Sequence, residues 1–281
     1  ASGECLRTLA GHSHRVRCAA FAPDGARVIS VSDDGSARLW SADSGDSIAF
    51  PGRLGGVRPG SFSPDGARLV TPADNNTAKV WCTTTGACLL TLSGHQGWVT
   101  YAGFSRDGAW VVTASKDATA ALWDAESGER FRTFVGHTES LRTAALSPDG
   151  ARVASASHDR SARLWSIESG ECLRKLEHND IVHCVAFSPD SALLLSASED
   201  KTARVWRVET GECVRTLNHR GEVYSGAFSP SGDSLLTGSR DGKAYLWGTE
   251  TGELLRTLAG HTLCVLHVSF SPPPRPSGVF G

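Results

Sequence analysis

Several features that would place a chain in a broad functional class are missing from these 281 residues. Methionine does not occur at all, so the sequence is predicted to be a fragment or a processed product. No apolar run reaches the roughly 18 to 20 residues that a membrane-spanning helix requires. The opening ASGECLRTLAGH has neither the basic nor the apolar region of a secretory signal. A formal net charge of −2 provides no overall field that would attract nucleic acid or an anionic membrane.

Sequence signals for metal, phosphate and nucleic-acid chemistry are also scarce. The eight cysteines include no C-x-x-C pair, which argues against a zinc ribbon. There is no Walker loop, no dinucleotide fingerprint and no calcium loop. Basic residues alternate with apolar ones instead of forming a block, so sequence-specific reading of DNA has no support. We therefore predict no cofactor and no metal site.

What the chain does contain is a strict internal repeat. Six tryptophans follow one another at intervals of 41 or 42 residues, and each has alanine three positions before it. A variant of Phe-Ser-Pro-Asp-Gly precedes each of them, as in FAPDG at 21–25 and FSPDG at 62–66. A fixed period of this length is typical of repeat architectures. The six tryptophans are Trp40, Trp81, Trp123, Trp165, Trp206 and Trp247.

Each repeat reads as four short strands separated by turns. In the first repeat, RVRCAAF (15–21), ARVIS (26–30) and SARLW (36–40) are separated by Pro-Asp-Gly and Asp-Asp-Gly. These are turn signals, because glycine adopts positive φ and aspartate hydrogen-bonds its own backbone. No segment combines a helical apolar period with helix caps. Short, regularly spaced strands indicate an all-β sandwich, barrel or propeller, and the fixed period selects the propeller.

These residues resemble the WD40 repeat. Gly-His, Ser-x-Asp and aliphatic-Trp recur in order, and Trp123-Asp124 has the Trp-Asp pair itself. The resemblance implies a WD40 β-propeller over residues 1–271 and an irregular Pro-rich tail over 272–281. It implies six complete four-stranded blades plus a partial seventh, built from an N-terminal d strand (3–9) and a C-terminal a strand (264–270). A closed six-bladed ring with spare terminal strands is the alternative.

WD40 blades carry a buried hydrogen-bonded tetrad of His, Ser or Thr, Asp and Trp, and the resemblance assigns five tetrads here. A Ser-His-Asp set can also catalyse acyl transfer, but a catalytic set occurs once per site, whereas these sets recur in register. We therefore predict a structural role and no catalytic residue. The assigned tetrads are His12/Ser32/Asp34/Trp40, His95/Ser115/Asp117/Trp123, His137/Ser157/Asp159/Trp165, His178/Ser198/Asp200/Trp206 and His219/Ser239/Asp241/Trp247.

The second repeat departs from the pattern. Arg53-Leu54 replaces Gly-His, Ala73 and Asn75 replace the serine and aspartate, and only Trp81 is retained. Pro72 lies in its second strand, where a missing N–H weakens a ladder. This indicates a degenerate blade supported by its neighbours; alternatively, the irregular blade frees Arg53 and Arg58 for a partner.

The resemblance also implies where a partner binds, since residues flanking the first aliphatic residue of strand a line one face of the ring. Their types vary from repeat to repeat, and sequence drift would produce the same variation. Arginine, tryptophan and tyrosine are nevertheless enriched in binding hot spots, and four arginines favour an acidic or phosphorylated peptide. The predicted contact residues are Arg15, Arg17, Arg58, Trp98, Arg142, His183 and Tyr224.

The leading hypothesis is a non-catalytic scaffold that binds peptides or protein partners on that face. The alternatives are a sensor or scaffold fragment of a larger multidomain signalling protein, and a propeller that binds RNA through a basic rim with Trp98. An enzyme is disfavoured, because only His183 stands outside the repeat pattern.

The cysteine pattern adds a prediction about location. Cys5, Cys88, Cys172 and Cys213 share one d-strand site, and equivalent sites in adjacent blades lie too far apart for a disulfide. Reduced thiols indicate an intracellular compartment, cytoplasmic or nuclear.

Overall fold

The computed structural model of the chain describes residues 7–14, 16–32, 34–50 and 60–270, without the side chains of Arg17 and Cys18. Within this part of the chain, 24 β-strands form six four-stranded sheets. Within each sheet, every strand pairs antiparallel with its neighbours in sequence. The predicted all-β fold with six complete blades is confirmed. Nothing helical in the described ranges is long and apolar enough to cross a bilayer.

The blades follow one another along the chain, and in each the strands a, b, c and d occur in sequence order. Blades 1 to 3 consist of β1 (Val16–Phe21), β2 (Arg27–Ser32), β3 (Ala37–Ser41), β4 (Ser47–Phe50); β5 (Ser61–Phe62), β6 (Arg68–Ala73), β7 (Thr77–Cys82), β8 (Cys88–Leu92); β9 (Val99–Phe104), β10 (Trp110–Ser115), β11 (Ala120–Asp124), β12 (Arg130–Phe134). Blades 4 to 6 consist of β13 (Leu141–Leu146), β14 (Arg152–Ser157), β15 (Ser161–Ser166), β16 (Cys172–Glu177); β17 (Val182–Phe187), β18 (Leu193–Ser198), β19 (Thr202–Arg207), β20 (Cys213–Asn218); β21 (Val223–Phe228), β22 (Ser234–Ser239), β23 (Ala244–Gly248), β24 (Leu254–Leu258).

The turn between strands a and b shows why the repeated Ser-x-Asp-Gly sequence forms a hairpin. In blade 3, Gly108 has φ of 75° and its N–H donates to the carbonyl of Ser105 at 3.0 Å. The carboxylate of Asp107 accepts from the Ser105 hydroxyl at 2.5 Å and from the N–H of Ala109 at 3.0 Å. Glycine is required for the positive φ, and the aspartate satisfies backbone donors that the hairpin leaves unpaired.

The core lies between neighbouring blades. Val80 and Leu92 of blade 2 pack in one cluster with Val99, Ala102 and Trp123 of blade 3, all at most 1% exposed. Similar clusters join blades 1 and 2, 3 and 4, 4 and 5, and 5 and 6. Burial of each large apolar side chain contributes roughly 1.5–3 kcal/mol. Stacking of successive sheets is therefore a major source of stability.

Strands a of five blades line a central cavity of about 580 Å³. Residues from blades 1, 2, 3, 5 and 6 line it, together with the segment that follows blade 6. The sheets are therefore arranged around one axis. Six of the residues that line the cavity are aromatic: Phe21, Phe62, Tyr101, Phe187, Phe228 and Phe270.

Neighbouring blades are also joined at the circumference by arginines of strand d. Arg132 donates to the carbonyls of Glu168 and Ser169, in the c–d turn of the next blade, at 2.9 and 3.1 Å. Arg174 donates in the same way to Glu209, at 2.7 Å. Each of these bonds fixes the d strand of one blade against the following blade.

The predicted terminal strands differ from the expectation. Residues 3–6 and the tail 271–281 lie outside the described residues, and neither 7–9 nor 264–270 forms a strand. The prediction of a C-terminal a strand is wrong in this respect, since residues 264–270 belong to none of the described sheets. Residues 264–270 instead pack on blade 6: Val265 and Val268 are 8% exposed, and the Val265 N–H donates to the Ser239 carbonyl at 3.0 Å.

Candidate functional site

A buried polar network connects strands b and c to the loop before strand a. In blade 4, the indole N–H of Trp165 donates to the Ser155 hydroxyl at 2.8 Å, and His137 Nε2 lies 2.7 Å from the same oxygen. His137 Nδ1 lies 2.7 Å from a carboxylate oxygen of Asp159. Indole can only donate and carboxylate can only accept, so the proton lies on Nδ1 and the serine hydroxyl donates to Nε2.

A second hydroxyl completes the network. Ser161 Oγ donates to the other carboxylate oxygen of Asp159 at 2.6 Å, and the Ser161 N–H donates to that oxygen at 3.0 Å. Every polar atom in the network thus has a partner, as burial requires. The same arrangement occurs in blades 1, 3 and 5, through His12/Ser30/Asp34/Trp40, His95/Thr113/Asp117/Trp123 and His178/Ser196/Asp200/Trp206.

The charge state of the network follows from its burial. Burial lowers the pKa of His137 below its ordinary value, in spite of the opposing hydrogen bond and charge of Asp159. Burial alone would raise the pKa of Asp159, but hydrogen bonds from His137 and Ser161 hold it far below the usual range. The stable form is a neutral imidazole that donates to a carboxylate. This is the tautomer that the geometry of the hydroxyl requires.

The loops that precede strand a and the b–c turns form one surface of the molecule, which we call the entry face. Backbone hydrogen bonds hold these two kinds of loop together. The N–H of Lys116 donates to the carbonyl of Trp98 at 2.8 Å, and that of Arg240 donates to Glu222 at 2.8 Å. Blades 4 and 5 form the same bond, from His158 to Ser140 and from Glu199 to Ile181, each at 2.9 Å. Variable side chains of the two loops are thereby held side by side in each blade.

Blades 5 and 6 contribute a connected cluster to the entry face. His183 Nε2 lies 2.7 Å from Glu199 Oε1, and the imidazole meets the ring of Tyr224 edge-on at 4.8 Å. The Tyr224 hydroxyl donates to Glu222, which also forms a 2.6 Å ion pair with Arg240. Burial and the Glu222 carboxylate raise the pKa of Tyr224, so the phenol stays protonated.

Carboxylates make this half of the entry face acidic. Burial raises the pKa of Glu199, and the nearby charges of Glu222 and Asp180 raise it further against the opposing charges of Arg142 and Arg240. The carboxylates of Asp180, Glu199 and Glu222 thus lie close to one another, with Arg240 paired to Glu222. A positively charged group would be stabilised here.

Blades 3 and 4 form the basic half of the entry face, next to the acidic half. Trp98 is 60% exposed, and Lys116 Nζ lies 4.4 Å from the centre of its ring. The pKa of His158 is lowered by burial and by the charges of Arg142 and Lys116, against Glu139. A cation stacked on an exposed indole presents an apolar surface and a positive charge together.

Comparison with known proteins agrees with this geometry. Residues 101–278, more than half of the chain, match the family model described as IFT122 first beta-propeller, and residues 3–41 match the WD domain, G-beta repeat. The chain belongs to the WD-repeat β-propeller family. It is also 49% identical over 45 residues to the nuclear distribution protein PAC1-2 of Uncinocarpus reesii (strain UAMH 1704). That match covers 16% of the chain and 10% of the fungal protein. It therefore supports the presence of the repeat and does not extend to the function of the whole relative.

The structure corrects one member of each WD-repeat tetrad that the sequence assigned. Ser32, Ser115, Ser157, Ser198 and Ser239 are not the hydroxyls that histidine and tryptophan share. Ser157 Oγ donates to the Glu139 carbonyl at 2.9 Å and accepts from the Asp159 N–H at 3.1 Å. Residues i and i+2 of a strand lie on one face, so the hydroxyls of Ser155 and Ser157 point the same way. Only the Ser155 hydroxyl reaches the Trp165 indole. The bridging hydroxyls are Ser30, Thr113, Ser155, Ser196 and Thr237.

Blade 6 of this WD-repeat ring has a different network. Trp247 and His219 share the Thr237 hydroxyl, at 2.9 and 2.8 Å. His219 Nδ1, however, bonds to the Leu217 carbonyl at 3.0 Å, and Asp241 accepts from the Tyr245 hydroxyl at 2.5 Å. The assigned tetrad His219/Ser239/Asp241/Trp247 is therefore wrong in its aspartate link as well as in its serine, because Tyr245 takes the carboxylate.

Blade 2 retains more of the WD-repeat network than the sequence indicated. Trp81 donates to the Thr71 hydroxyl at 2.8 Å, so the tryptophan is not the only surviving member. Pro72 pairs with Ala78 of strand β7, while the described pairs of β5 with β6 involve only Ser61 and Phe62. The proline thus lies beyond the described a–b pairs, where it disturbs none of them.

The predicted contact residues are only partly described. Arg15 and Arg58 lie outside the described residues, as does the side chain of Arg17. Trp98, Arg142, His183 and Tyr224 belong to the entry face, where the pair His183–Tyr224 is in direct contact. Sequence reasoning named the arginines and did not recognise that Asp180, Glu199 and Glu222 lie close to one another, near Arg142. Adjacency of blades 5 and 6 was the signal that could have shown it.

Cysteine chemistry in the described part of the chain is simple. Cys82, Cys88, Cys172, Cys184, Cys213 and Cys264 are free thiols. Over the same ranges, no group of three or more His, Cys, Asp or Glu side chains is placed to hold a metal ion.

Proposed function

We propose that the chain is a non-catalytic interaction module that binds a peptide or protein partner on the entry face. The observation that carries the proposal is Trp98: it is 60% exposed, whereas the six repeat tryptophans are at most 6% exposed. Tryptophan is among the residue types most enriched in binding hot spots. Lys116 stacks on it, so the anchor is positioned before a partner arrives.

The partner proposed is a segment with an acidic or phosphorylated residue. Lys116, Arg142 and His158 lie together on the basic half, where a carboxylate or phosphate would be stabilised. The acidic half formed by Glu199 and Glu222 would repel the same group. This polarity supports one orientation, with the acidic residue beside Trp98 and any basic residue towards blades 5 and 6.

Charge reversal on a peptide array tests the proposal. Equal-length acidic, phosphoserine and basic peptides are probed with the intact chain and with Arg142→Glu, Trp98→Ala and Lys175→Glu. We expect acidic or phosphoserine peptides to be retained and to lose about tenfold or more affinity in the first two variants, since a charge-assisted hydrogen bond is worth about 1.5–3 kcal/mol. Lys175, paired with Glu177 on strand β16, is the matched control outside the entry face. Retention that survives Arg142→Glu and Trp98→Ala would contradict the proposal.

RNA binding is the second candidate, because an exposed indole beside a lysine is also a platform for base stacking. The carboxylates of Asp180, Glu199 and Glu222 on the same face oppose a phosphate backbone and favour a protein partner. A steep loss of oligonucleotide affinity with salt would identify the RNA-binding case.

Catalysis is not part of the proposal. His183, the residue outside the repeat pattern, is held by Glu199 and packs on Tyr224, so it acts as a structural link of the entry face. The six free cysteines support an intracellular location, where thiols stay reduced. A role as the sensor or scaffold portion of a larger signalling protein is compatible with the same face.

A further inference from the structure

An arginine at the start of strand b joins each of the first two blades to its successor. Arg27 donates to the Gly66 carbonyl of blade 2 at 3.0 Å. Arg68 donates to the carbonyls of Gly108 and Ala125 in blade 3, at 3.1 and 2.6 Å. Each guanidinium thus lies against the a–b turn of the next blade, and both turn glycines are buried.

The junction between blades 3 and 4 lacks this arginine. Strand b of blade 3 begins instead with Trp110, whose ring packs on Phe131 at a centre-to-centre distance of 5.0 Å. The equivalent turn glycine of blade 4, Gly150, is exposed, and a Cβ placed on it would meet no described atom within 4 Å. A Cβ on Gly66 would lie 3.0 Å from the Arg27 guanidinium. The place that arginine fills at the earlier junctions is therefore accessible here.

A second substitution widens this opening. At the preceding junction Pro64 lies beside Gly108, since a Cβ on that glycine would be 3.2 Å from the proline ring. Blade 3 has Arg106 at the position of this proline, and its guanidinium donates to the Pro189 carbonyl of blade 5 at 3.5 Å. Both side chains that cover the turn at the preceding junction are thus replaced next to Gly150.

A depression of about 340 Å³ lies at this junction. It is lined by Phe131 of blade 3 and by Gly150, Ile167 and Leu173 of blade 4, among others. The carbonyls of Gly150 and Ile167 correspond to the two that accept from Arg68. Within the described residues, no donor bonds to either of them. The depression therefore combines apolar walls with two available acceptors.

The charges around the depression suit a cation. The carboxylate of Glu168 belongs to its lining. Arg152, also in the lining, pairs with Asp149 at 3.3 Å, so its charge is compensated. Arg132 donates to the carbonyls of Glu168 and Ser169 in the c–d turn and not to the a–b turn. Carbonyl oxygens, a carboxylate and an aromatic ring are the groups that a guanidinium binds.

We propose that the depression binds an arginine side chain of a partner polypeptide, in the place that the strand-b arginines fill at the two earlier junctions. The guanidinium donates to the carbonyls of Gly150 and Ile167 and lies against Phe131. The Arg68 guanidinium provides the precedent, 5.3 Å from the centre of the Phe104 ring. The a–b and c–d turns lie at the opposite ends of the strands from the entry face, so this site is separate from that surface.

Short peptides provide the probe. Fluorescein-labelled Gly-Ser-Arg-Ser-Gly is titrated into the intact chain, alongside peptides with lysine, citrulline or leucine in place of arginine. We expect saturable binding of the arginine peptide in fluorescence anisotropy. The other three should bind about tenfold more weakly or worse. Lysine lacks the planar fork, citrulline lacks the charge and leucine lacks donors.

Restoring the repeat arginine should close the site. Trp110→Arg places a guanidinium where Arg27 and Arg68 have theirs, so we expect it to abolish binding of the arginine peptide. Ser234→Arg makes the same change at the first residue of strand b in blade 6 and should leave the affinity unchanged. Circular dichroism checks that both variants fold.

Two exposed positions test the walls without touching the core. Glu168→Gln removes the carboxylate and should weaken binding of the arginine peptide by up to about fivefold, whereas Glu209→Gln, in the same turn of blade 5, should not. Phe131→Ala removes the ring and should have an effect of similar size. Its control is Leu89→Ala, at the same place on strand d of blade 2; the two side chains are 52% and 50% exposed.

Four results would overturn the proposal. The first is no binding of the arginine peptide to the intact chain. The second is equal binding of the leucine peptide, which would assign the depression to an apolar side chain. The third is binding that both Trp110→Arg and Phe131→Ala leave unchanged, which would place the peptide elsewhere. The fourth is binding only after deletion of residues 271–281, which would assign the site to Arg275 of the same chain.

Discussion

The indole N–H of Trp81 donates a 2.8 Å hydrogen bond to the hydroxyl of Thr71, and both residues are 1% exposed. In blade 2, Leu54 and Asn75 stand at the histidine and aspartate positions of the repeat. The bond between indole and hydroxyl therefore persists where the rest of the network is absent. The tryptophan N–H on strand c of each blade is a buried donor and must have a partner. The histidine instead connects the loop before strand a to this network.

Replacement of the Thr71 hydroxyl should destabilise the ring. Thr71→Val keeps the side-chain shape and leaves the Trp81 N–H without a partner, which costs about 1–3 kcal/mol. Urea unfolding measures this difference in the free energy of unfolding. Thr91→Val, at an exposed position of strand β8, is the control and should change stability far less. An equal effect of the two substitutions would show that the Trp81–Thr71 bond has no special role.

The two hydroxyls of strand b in blade 4 should be distinguishable at the tryptophan. Ser155→Ala removes the acceptor of the Trp165 indole, while Ser157→Ala removes bonds to the Glu139 carbonyl and the Asp159 N–H. We expect a large shift of the Trp165 indole N–H resonance, and faster exchange of that proton, only in Ser155→Ala. The reverse result would restore the sequence-based tetrad with Ser157.

Stability should fall in two stages as the pH is lowered. Burial lowers the pKa of His95, His137, His178 and His219, so below about pH 6.5 the unfolded chain binds protons that the folded chain does not. The free energy of unfolding should therefore decrease as the pH falls through this region. The pKa values of Asp34, Asp159 and Asp200 are also lowered, so their contribution is present above about pH 4 and is lost below it.

Urea unfolding between pH 7.5 and pH 3 measures both stages. His137→Gln removes one of the buried imidazoles and should reduce the dependence between pH 7 and pH 5, with the acid stage retained. Stability that increases from pH 7 to pH 5 would contradict the neutral buried imidazoles.

The repeat made much of the fold predictable from sequence. Asp-Gly turns and the tryptophan period specified six sheets, because each turn type and each strand face has a local chemical requirement. The choice between Ser155 and Ser157 was not predictable, since both lie on one strand face and only the ladder, which pairs Ser155 with Arg163, decides which reaches Trp165. The exposure of Leu258 was hidden for a related reason: its repeat position is that of the buried Leu217, and only its place in the ring differs.

Cys82 is half-buried, yet it should react faster than the exposed thiols of Cys88, Cys172 and Cys213. Its sulfur lies 3.0 Å from the Thr84 hydroxyl, and the hydroxyls of Thr84 and Thr85 lower the pKa of Cys82 to about 6. The thiolate is the nucleophile, so alkylation by iodoacetamide at pH 7 should modify Cys82 before Cys88, Cys172 and Cys213. Peptide mapping by mass spectrometry follows each site, and the rate at Cys82 should reach half its maximum near pH 6. Thr84→Val should move that midpoint upwards because one donor to the thiolate is lost, whereas Thr210→Val, in the corresponding turn of blade 5, should not. Equal alkylation rates at all four cysteines would show that the threonines do not activate the thiol.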